Sequence, residues 1–513
     1  MKCNAADYFI DRHITEGRGK NIAIECSDLS INYQQLFESV NRAGNGFKKL
    51  QIQAGDRILL ALPDIPEFFI SFFGAIKIGA IPVPLSTLFS AVEYEYFLNH
   101  SRATIVIVHV GLLEIIKSIP RNKIPTLKHI LVVGEAEDET CTTLHSFLEE
   151  QSSELISHPT NWEDVAFWMY SSGSTGAPKA CVHLQHDMII AAEQYGRKVL
   201  GITENDKCFS VSKLFFAYGL GNSLFCPLSV GATSILMAAS PKPENIFNII
   251  ERHKPTLFFS VPSNYLRLLD HADIAEHNFN LSSIRIFTSA GERLPIKIFN
   301  RFKKRFDGEL LDSMGATETF IFTANRPGAN RPGSAGQIIP GYEAKIVDEN
   351  GEKLQPGESG NLWVKSETVC LEYWGEKDKT EEAIHGDWFR TGDRCSMDQD
   401  GYLWYAGRAD DMMKCNGAWV SPLEVESILS EHPSVSEVAV VGREDQNGLI
   451  KPSAYIVLRG GYLADAKLFS EINAFVAEKI PHYKRPQEIY FVDNLPRTVT
   501  GKIQRFKLQK IVV

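Results

Sequence analysis

The sequence predicts an α/β protein with a large N-terminal domain and a smaller second domain at the C-terminus. Short apolar runs alternate with helical stretches over most of the chain, and this alternation is typical of sheets covered by helices. At 513 residues the chain exceeds the length at which one hydrophobic core usually stops growing. More than one domain is therefore expected.

The first predicted helix follows Asn32, a residue type that caps helix N-termini well. Apolar residues recur after it at steps of four and three, namely Leu36, Val40, Ala43, Phe47 and Leu50. The most apolar stretch, 67–89, contains Lys77 and two prolines and stays short of the roughly 18 clean apolar residues that a membrane span requires. It is interpreted as a buried helix followed by a strand. The predicted strands are RILLALP, ATIVIVH, HILVVG, VAFWMY, PTLFFSVP and IRIFTSAG.

The pattern changes around 401–429, where short strands and a Gly-rich turn precede a new helix. Ser421, Pro422 and Glu424 are predicted to supply the N-cap, the first-turn proline and a capping box for that helix. The second domain is therefore predicted to start near Asp410 and to include 410–513, after a first domain of 1–409.

The bulk composition excludes several classes of function. A formal net charge of −10 gives no electrostatic reason to bind nucleic acid or an anionic membrane. Nine scattered cysteines without a C-x-x-C pair indicate neither a disulfide framework nor a zinc site. The N-terminus has charged residues where a signal peptide would need an apolar segment. A cytoplasmic protein is expected.

The stretch YSSGSTGAPKA at 170–180 follows an apolar strand. Successive small residues there can turn their backbone N–H groups toward an anion, with hydroxyl groups and Lys179 adding donors and charge. The spacing of its two glycines and the lysine differs from G-x-x-x-x-G-K-[S/T], so a Walker-type ATPase is rejected. A solvated linker is the alternative, but a buried strand directly upstream favours a phosphate site.

Three further motifs restrict the chemistry. In DSMGATET, Glu318 could hold Mg²⁺ between phosphate oxygens. In RTGD, Asp393 offers an acceptor for ribose hydroxyls, and GRADD places Arg408 near it in the sequence. Lys502 sits on a Gly turn in PRTVTGKIQR, where a surface lysine is the usual interpretation. Each motif is weak alone.

In this order and at these separations, the motifs are those of a known family. With YSSGSTGAPK, SMGATE, RTGD, GRADDMMKCNG and PRTVTGK, the chain resembles the adenylate-forming superfamily of acyl-CoA synthetases, adenylation domains and luciferases over essentially its full length. The stretches NAADYFIDRHI, VHLQHD and SKLFFAYGLGNSLFCPLSVGA resemble the benzoate-CoA ligase branch. The resemblance implies a large N-terminal domain of stacked mixed sheets with helices and a small, mobile α+β C-terminal domain.

Members of this superfamily activate a carboxylic acid with ATP and transfer the acyl group from the adenylate to the thiol of CoA. The resemblance implies that the 171–179 loop holds the phosphates, with Thr175 and Glu318 beside Mg²⁺, and that Lys502 is the adenylation lysine. The implied ATP and AMP contacts are Ser171, Ser172, Gly173, Ser174, Thr175, Gly176, Lys179, Glu292, Asp312, Met314, Gly315, Thr317, Asp393 and Arg408. Asp393 and Arg408 would hold the ribose, while Glu292, Asp312 and Met314 would border the adenine.

Thioester formation requires the lysine-bearing domain to move away from the adenylate. By resemblance, Asp410 is the hinge, Gly417 lines the tunnel for the CoA pantetheine, and Lys414 takes part in the second half-reaction.

The resemblance also implies an acyl pocket formed by Phe216, Ala217, Tyr218, Gly219, Ser289, Ala290, Gly291 and Ile321. Aromatic walls favour a flat ring over a long alkyl chain. Ile321 stands where benzoate ligases commonly have histidine, so the sequence departs from the branch where ring substituents would be sensed. The expected substrates are therefore ATP, CoA and a small aromatic acid.

Two alternatives remain open: a stand-alone enzyme that loads the acid onto an acyl carrier protein, and a nucleotide-binding scaffold without catalysis. No nucleic acid or membrane partner is expected, and the predicted state is a monomer or a homodimer.

Overall fold

The computed structural model describes residues 2–135, 142–171, 178–274, 279–415, 418–445, 449–497 and 503–509. These residues form two compact units: the first takes its residues from 1–171, 178–343 and 365–389, and the second mainly from 344–364 and 390–513. The α/β class with a smaller second unit is confirmed. The second unit begins its long C-terminal stretch at residue 390, and the predicted division into domains of 1–409 and 410–513 stays a prediction.

The first unit contains a nine-stranded sheet whose central strands are parallel. Its strands, in spatial order, are Gln337–Ile338, Phe320–Ala324, Leu310–Ala316, Ile286–Ser289, Leu257–Ser260, Lys207–Ser210, Thr233–Leu236, Ile22–Cys26 and Leu29–Asn32. Every position of strands Thr233–Leu236, Leu257–Ser260 and Ile286–Ser289 is buried, as expected for a parallel sheet covered on both faces. The parallel strands end at one edge, where candidate site residues follow.

A second parallel sheet comprises Ile81–Pro84, Arg57–Ala61, Ile105–His109, His129–Val133 and Thr142–Thr143 in that order. Strands Val165–Ser171 and Lys179–Leu184 form an antiparallel hairpin. A short strand, Ile384–His385, pairs with residues 388 and 389. All six apolar runs predicted as strands contain a strand of the structure.

Helices cover both sheets of the first unit. Asn32 caps the predicted helix by accepting from the Gln35 N–H, and helix Pro66–Lys77 precedes strand Ile81–Pro84 as predicted. The α-helices are Arg12–Thr15, Tyr33–Lys49, Pro66–Lys77, Ala91–Ser101, Leu113–Lys117, Leu144–Glu149, Asp187–Ala191, Ala217–Leu220, Cys226–Leu228, Pro243–His253, Pro262–Ile274, Ile296–Phe306 and Lys377–Ala383. Within the described ranges, no helix has the length and apolar character needed to cross a membrane.

The second unit is α+β. Strands Glu343–Val347, Ser359–Lys365, Trp388–Met397 and Leu403–Arg408 form one sheet, Met413–Cys415 and Ala418–Val420 form a hairpin, and Val435–Glu444, Ile450–Leu458 and Glu488–Phe491 form a third sheet. Its helices are Pro422–Ser430, Ala466–Ala477 and Arg505–Gln509.

The helix predicted after Ser421 is present, and the Ser421 hydroxyl accepts from the Glu424 N–H. The predicted capping box is only half formed. The Glu424 carboxylate instead accepts from Lys484 Nζ at 2.6 and 2.8 Å, because an ion pair with a lysine is available in the same unit.

Candidate active site

The predicted phosphate loop connects the two strands of the antiparallel hairpin. Ser171 at the end of one strand lies opposite Lys179 at the start of the other. The hairpin register therefore fixes the two ends of the loop next to each other. Ser172, Gly173, Ser174, Thr175 and Gly176 lie outside the described residues, so their phosphate and metal contacts stay predictions.

Glu318 lies in the turn between strands Leu310–Ala316 and Phe320–Ala324. Its Oε1 atom accepts a hydrogen bond from Ser171 Oγ at 3.2 Å and another from the Tyr373 hydroxyl at 2.9 Å. Lys179 Nζ lies 4.5 Å from the centroid of the Tyr373 ring. The structure therefore brings Ser171, Lys179 and Glu318 together around Tyr373, a residue that the sequence analysis did not identify.

The Glu318 carboxylate is held by neutral donors. Burial, and then the negative charge of Glu318, hold the pKa of Tyr373 well above its usual range, so this hydroxyl stays protonated and donates. The described donors to this carboxylate are hydroxyls, while Lys179 lies against the Tyr373 ring nearby. A carboxylate held by neutral donors suits Mg²⁺, which takes oxygen ligands and usually one or two carboxylates.

Ser289, the last residue of strand Ile286–Ser289, lies opposite Asp312 in the parallel neighbouring strand Leu310–Ala316 of the large sheet. Asp312 Oδ2 accepts from the Leu294 N–H at 3.3 Å, and Ser313 Oγ donates to the Ser289 carbonyl at 2.9 Å. These bonds fix the 290–294 loop, which contains Glu292, against the strand that contains Asp312. Burial raises the pKa of Asp312 to about 8, so this carboxyl is largely protonated at neutral pH.

The two predicted sides of the acyl pocket meet through one hydrogen bond. The hydroxyls of Tyr218 and Thr288 are 2.7 Å apart, and Thr288 directly precedes Ser289, Ala290 and Gly291. A Cβ atom on Gly219 would lie 2.1 Å from the Lys213 carbonyl oxygen, so only glycine fits in the turn beside Tyr218.

The remaining pocket residues lie around these two segments. Phe216 and Ala217 are partly exposed at the start of helix Ala217–Leu220. Ile321 is buried and pairs with Gly315 across the hairpin that contains Glu318. Met314 and Thr317, predicted to contact the nucleotide, are partly exposed in the same hairpin. This hairpin therefore connects the predicted acyl and nucleotide contacts.

The second unit contains the predicted ribose pair. Asp393 and Arg408 lie opposite each other on antiparallel strands, and Arg408 Nη1 donates to Asp393 Oδ1 at 3.0 Å and to the Thr391 carbonyl at 2.9 Å. Asp410 is exposed in a 3₁₀ turn, and Lys414 is exposed in strand Met413–Cys415. Gly417 and Lys502 lie outside the described residues.

Sequence reasoning missed Tyr373 and Thr288 because neither lies in a recognisable motif. Tyr373 becomes a neighbour of Glu318 because the 371–374 segment pairs with strand Lys179–Leu184. The Val182 and Trp374 N–H groups donate across this pairing, and Cys181 and Tyr373 form an antiparallel β-bridge. Thr288 lies in an apolar run that reads as a plain buried strand. A hydroxyl in such a run, directly before the small residues SAG, is the feature that could have identified it.

Similarity to known proteins covers these elements. Residues 11–374 match the family described as AMP-binding enzyme, and residues 424–502 match the AMP-binding enzyme C-terminal domain. The chain belongs to the AMP-binding enzyme family. The first match includes Ser171, Lys179, Glu318 and Tyr373, so the cluster around Glu318 lies within the part that this AMP-binding enzyme shares with its family.

Several relatives match over nearly the whole chain. The benzoate–CoA ligase of Thauera aromatica is 43% identical over 99% of this AMP-binding enzyme and 95% of the relative. The 4-hydroxybenzoate–CoA/benzoate–CoA ligase of Rhodopseudomonas palustris is 38% identical over 99% and 94%. A crystal structure of an anthranilate CoA ligase with anthranoyl-AMP superposes with a TM-score of 0.92 at 40% identity, covering 99% and 96% of the two chains.

Proposed function

We propose that the protein is an AMP-forming carboxylate-CoA ligase that activates a small aromatic acid with ATP and transfers the acyl group to CoA. Full-length similarity to benzoate–CoA and hydroxybenzoate–CoA ligases supports this substrate class. The structural observation on which the proposal depends is the Glu318 carboxylate, oriented by Ser171 and Tyr373 at the mouth of the predicted phosphate loop.

In the first half-reaction, a carboxylate oxygen of the acid attacks the α-phosphorus of ATP, and pyrophosphate leaves. Both reactants are anionic, so positive charge must be placed where negative charge builds up on the phosphates. When bound, Mg²⁺ supplies part of that charge. Glu318 and Thr175 would hold the ion, Lys179 would approach the phosphates, and Lys502 would approach the reacting phosphate.

The predicted ribose and adenine contacts have proposed roles that the family resemblance implies. Asp393 would accept from the ribose hydroxyls while Arg408 holds the carboxylate in place. Glu292, Asp312 and Met314 would border the adenine. A largely protonated Asp312 can donate a hydrogen bond to a ring nitrogen, which a carboxylate cannot.

The acyl pocket would select a flat ring. Phe216 and Tyr218 supply aromatic surface, and the Tyr218–Thr288 bond holds the hydroxyl end of the Tyr218 ring beside the 288–291 segment. Ile321 supplies an apolar side chain where a histidine would offer a polar group. We therefore propose that the ring position facing Ile321 is unsubstituted or has an apolar substituent.

The test is a panel of benzoates with apolar or polar substituents, assayed for ATP-dependent pyrophosphate release and for acyl-CoA formation. We expect benzoate or an apolar-substituted benzoate to have the highest kcat/KM, and Ile321→His to favour a hydroxyl-substituted ring. Pyrophosphate release without any acyl-CoA would point to a carrier protein as acceptor. No ATP turnover with any acid would overturn the proposal.

The second half-reaction requires the C-terminal domain to change its position, and Asp410 is the proposed hinge. This residue is exposed in a 3₁₀ turn, where a change in backbone dihedral angles meets little packing. Asp410→Pro fixes φ near −65°, so it should spare pyrophosphate exchange and block thioester formation, because the second half-reaction requires the domain motion. The matched variant Asp410→Ala should leave both activities near the wild-type level, and equal loss of both in Asp410→Pro would contradict the hinge.

A further inference from the structure

A buried histidine–aspartate pair lies at the end of the hairpin strand that begins at Lys179. His183 and Asp187 are both fully buried, and His183 Nδ1 lies 2.8 Å from Asp187 Oδ2. The same carboxylate oxygen accepts from the Leu184 N–H at 3.1 Å. Neither residue has a part in the function proposed above.

The second ring nitrogen of His183 points to the catalytic turn. His183 Nε2 lies 3.0 Å from the carbonyl oxygen of Thr317, the residue directly before Glu318. A carbonyl oxygen accepts hydrogen bonds, and so does an oxygen of an ionised carboxylate, so with Asp187 ionised the two contacts place a proton on each ring nitrogen. The ring is stacked on Phe167 at 4.9 Å and lies 4.8 Å from the Phe320 ring, and aromatic faces stabilise a cation.

The buried His13 has different hydrogen-bond partners from His183: one of its ring nitrogens faces a donor and the other faces an acceptor. His13 Nδ1 accepts from Arg18 Nε at 2.8 Å, while Nε2 lies 2.6 Å from the Leu228 carbonyl oxygen. One acceptor and one donor describe a neutral imidazole. Burial lowers the pKa of His13 to about 4, in agreement with that geometry.

In the turn that His183 contacts, three successive backbone carbonyls lie within hydrogen-bond distance of residues from other segments. The Thr317 oxygen faces His183, the Glu318 oxygen accepts from the Cys370 N–H at 2.8 Å, and the Thr319 oxygen accepts from Thr368 Oγ1 at 3.0 Å. Phe320, the next residue, has a φ of +58°. An aromatic residue in this left-handed region is strained and persists only where the surroundings fix it.

We propose that His183, donating from both ring nitrogens and held by Asp187, is a positioning residue that fixes the turn containing Glu318. Because the described donors to the Glu318 side chain are the Ser171 and Tyr373 hydroxyls, the direction of its carboxylate also depends on the backbone that His183, Cys370 and Thr368 hold. The kinetic consequence rests on the proposed function, since it requires Glu318 to act in adenylation.

The first experiment measures activity in His183→Leu, His183→Gln and the control His13→Gln. Misplacing a catalytic group by about 1 Å can reduce a rate about 100-fold, so we expect His183→Leu to lower kcat for pyrophosphate exchange ten- to 100-fold per folded molecule. His183→Gln can still donate to the Thr317 oxygen. Its kcat should therefore lie clearly above that of His183→Leu and below that of the wild type. His13→Gln should change thermal stability without a comparable loss of kcat.

A purely structural role for His183 predicts something different. In that case His183→Leu lowers thermal stability while kcat per folded molecule stays within threefold of wild type, and His183→Gln gives no recovery. That result would overturn the proposal.

The second experiment is independent of catalysis. Nitrogen-15 NMR of histidine-labelled full-length protein should show both ring nitrogens of His183 protonated near neutral pH, with the resonances assigned by their loss in His183→Gln. His13 should show one unprotonated nitrogen. Asp187→Asn preserves the side-chain shape and should leave His183 with a single ring proton. This variant allows the proposal to be tested even if His183→Leu does not fold.

An unprotonated ring nitrogen on wild-type His183 would overturn the proposal even if the enzyme is active. Two protonated nitrogens in a chain that turns over no acid would instead support the His183 geometry and count against the proposed function. The two failures are therefore distinguishable.

Discussion

Glu318 in the first unit, predicted beside Mg²⁺, and Asp393 in the second, predicted at the ribose, are both acidic, but their carboxylates accept hydrogen bonds from different kinds of donor. Glu318 accepts from two neutral hydroxyls, of Ser171 and Tyr373. Asp393 is buried and accepts from the Arg408 guanidinium at 3.0 Å. Neutral donors orient a carboxylate and leave its charge in place, whereas a guanidinium also balances that charge.

The difference separates two kinds of ligand. A carboxylate held by neutral donors keeps its charge and attracts a cation, as the proposed Mg²⁺ contact of Glu318 requires. A carboxylate paired with arginine can accept from neutral hydroxyls without adding net negative charge near an anionic nucleotide. Charge should therefore matter most at Glu318, and hydrogen-bonding capacity should matter most at Asp393.

The largest expected effect is that of Glu318→Gln. The amide oxygen can still accept from Ser171 and Tyr373, so the variant removes charge while keeping shape. Loss of one preorganised charged contact in a transition state typically costs about 10²- to 10³-fold in rate, and we expect a loss of this size in kcat for pyrophosphate exchange. A loss of less than threefold at saturating Mg²⁺ would contradict the proposed role of the charge.

Asp393→Asn should have a smaller effect of another kind. It removes the negative charge that Arg408 balances and replaces one of the two acceptor oxygens by a donor NH2 group, so one ribose acceptor is lost, and hydrogen bonds to charged groups contribute about 1.5–3 kcal/mol. We expect the KM for ATP to rise about tenfold, which corresponds to roughly 1.4 kcal/mol, with kcat within threefold. If kcat falls as far as in Glu318→Gln, the contrast between the two carboxylates is wrong.

Tyr373→Phe tests whether the neutral donors orient Glu318. The variant removes one hydroxyl bond of about 1 kcal/mol and should lower kcat for adenylation about fivefold. Tyr94→Phe is the matched control, because the Tyr94 hydroxyl is also buried in the first unit but donates to the Ser86 carbonyl. Equal kinetics for the two variants would contradict a role of the Tyr373 hydroxyl in orienting Glu318.

Much of the fold could be predicted because it depends on local patterns. The period of the apolar residues after Asn32 defines helix Tyr33–Lys49, and the apolar runs define strands such as Ile105–His109. The motifs located Glu318 and Asp393 without any geometry. Such features are visible in sequence because each lies within one short segment.

What could not be predicted depends on contacts between distant segments. Tyr373 reaches Glu318 only through the pairing of the 371–374 segment with strand Lys179–Leu184, and His183 reaches Thr317 across 134 positions of the chain. The predicted capping box at Ser421 is only half formed for the same reason. The Ser421 hydroxyl accepts from the Glu424 N–H as predicted, but the Glu424 carboxylate binds Lys484. Hydrogen-bond partners follow from the tertiary structure, and a single sequence does not contain their distances.

Asp312 adds a third carboxyl group to the comparison between Glu318 and Asp393. Replacing it has the smallest expected effect, which is a change in the pH dependence of stability. Asp312 is as buried as Asp393, but its pKa is raised to about 8 by burial. An acid with a raised pKa in the folded state binds its proton more tightly there than in the unfolded chain. Its contribution to stability is therefore fully present below pH 4 and is lost as the pH rises toward 8.

In the ligand-free protein, Asp312→Asn should remove this slope because the amide does not ionise. The slope of a single group cannot exceed about 1.4 kcal/mol per pH unit, which corresponds to a few degrees of thermal midpoint at most in a chain of this size. Thermal unfolding of both proteins from pH 5 to 8 would measure it, with the wild type losing stability relative to the variant as the pH rises. Parallel curves would mean that Asp312 is ionised in the folded protein, and the charge on that group would then need a partner of the kind that Arg408 gives Asp393.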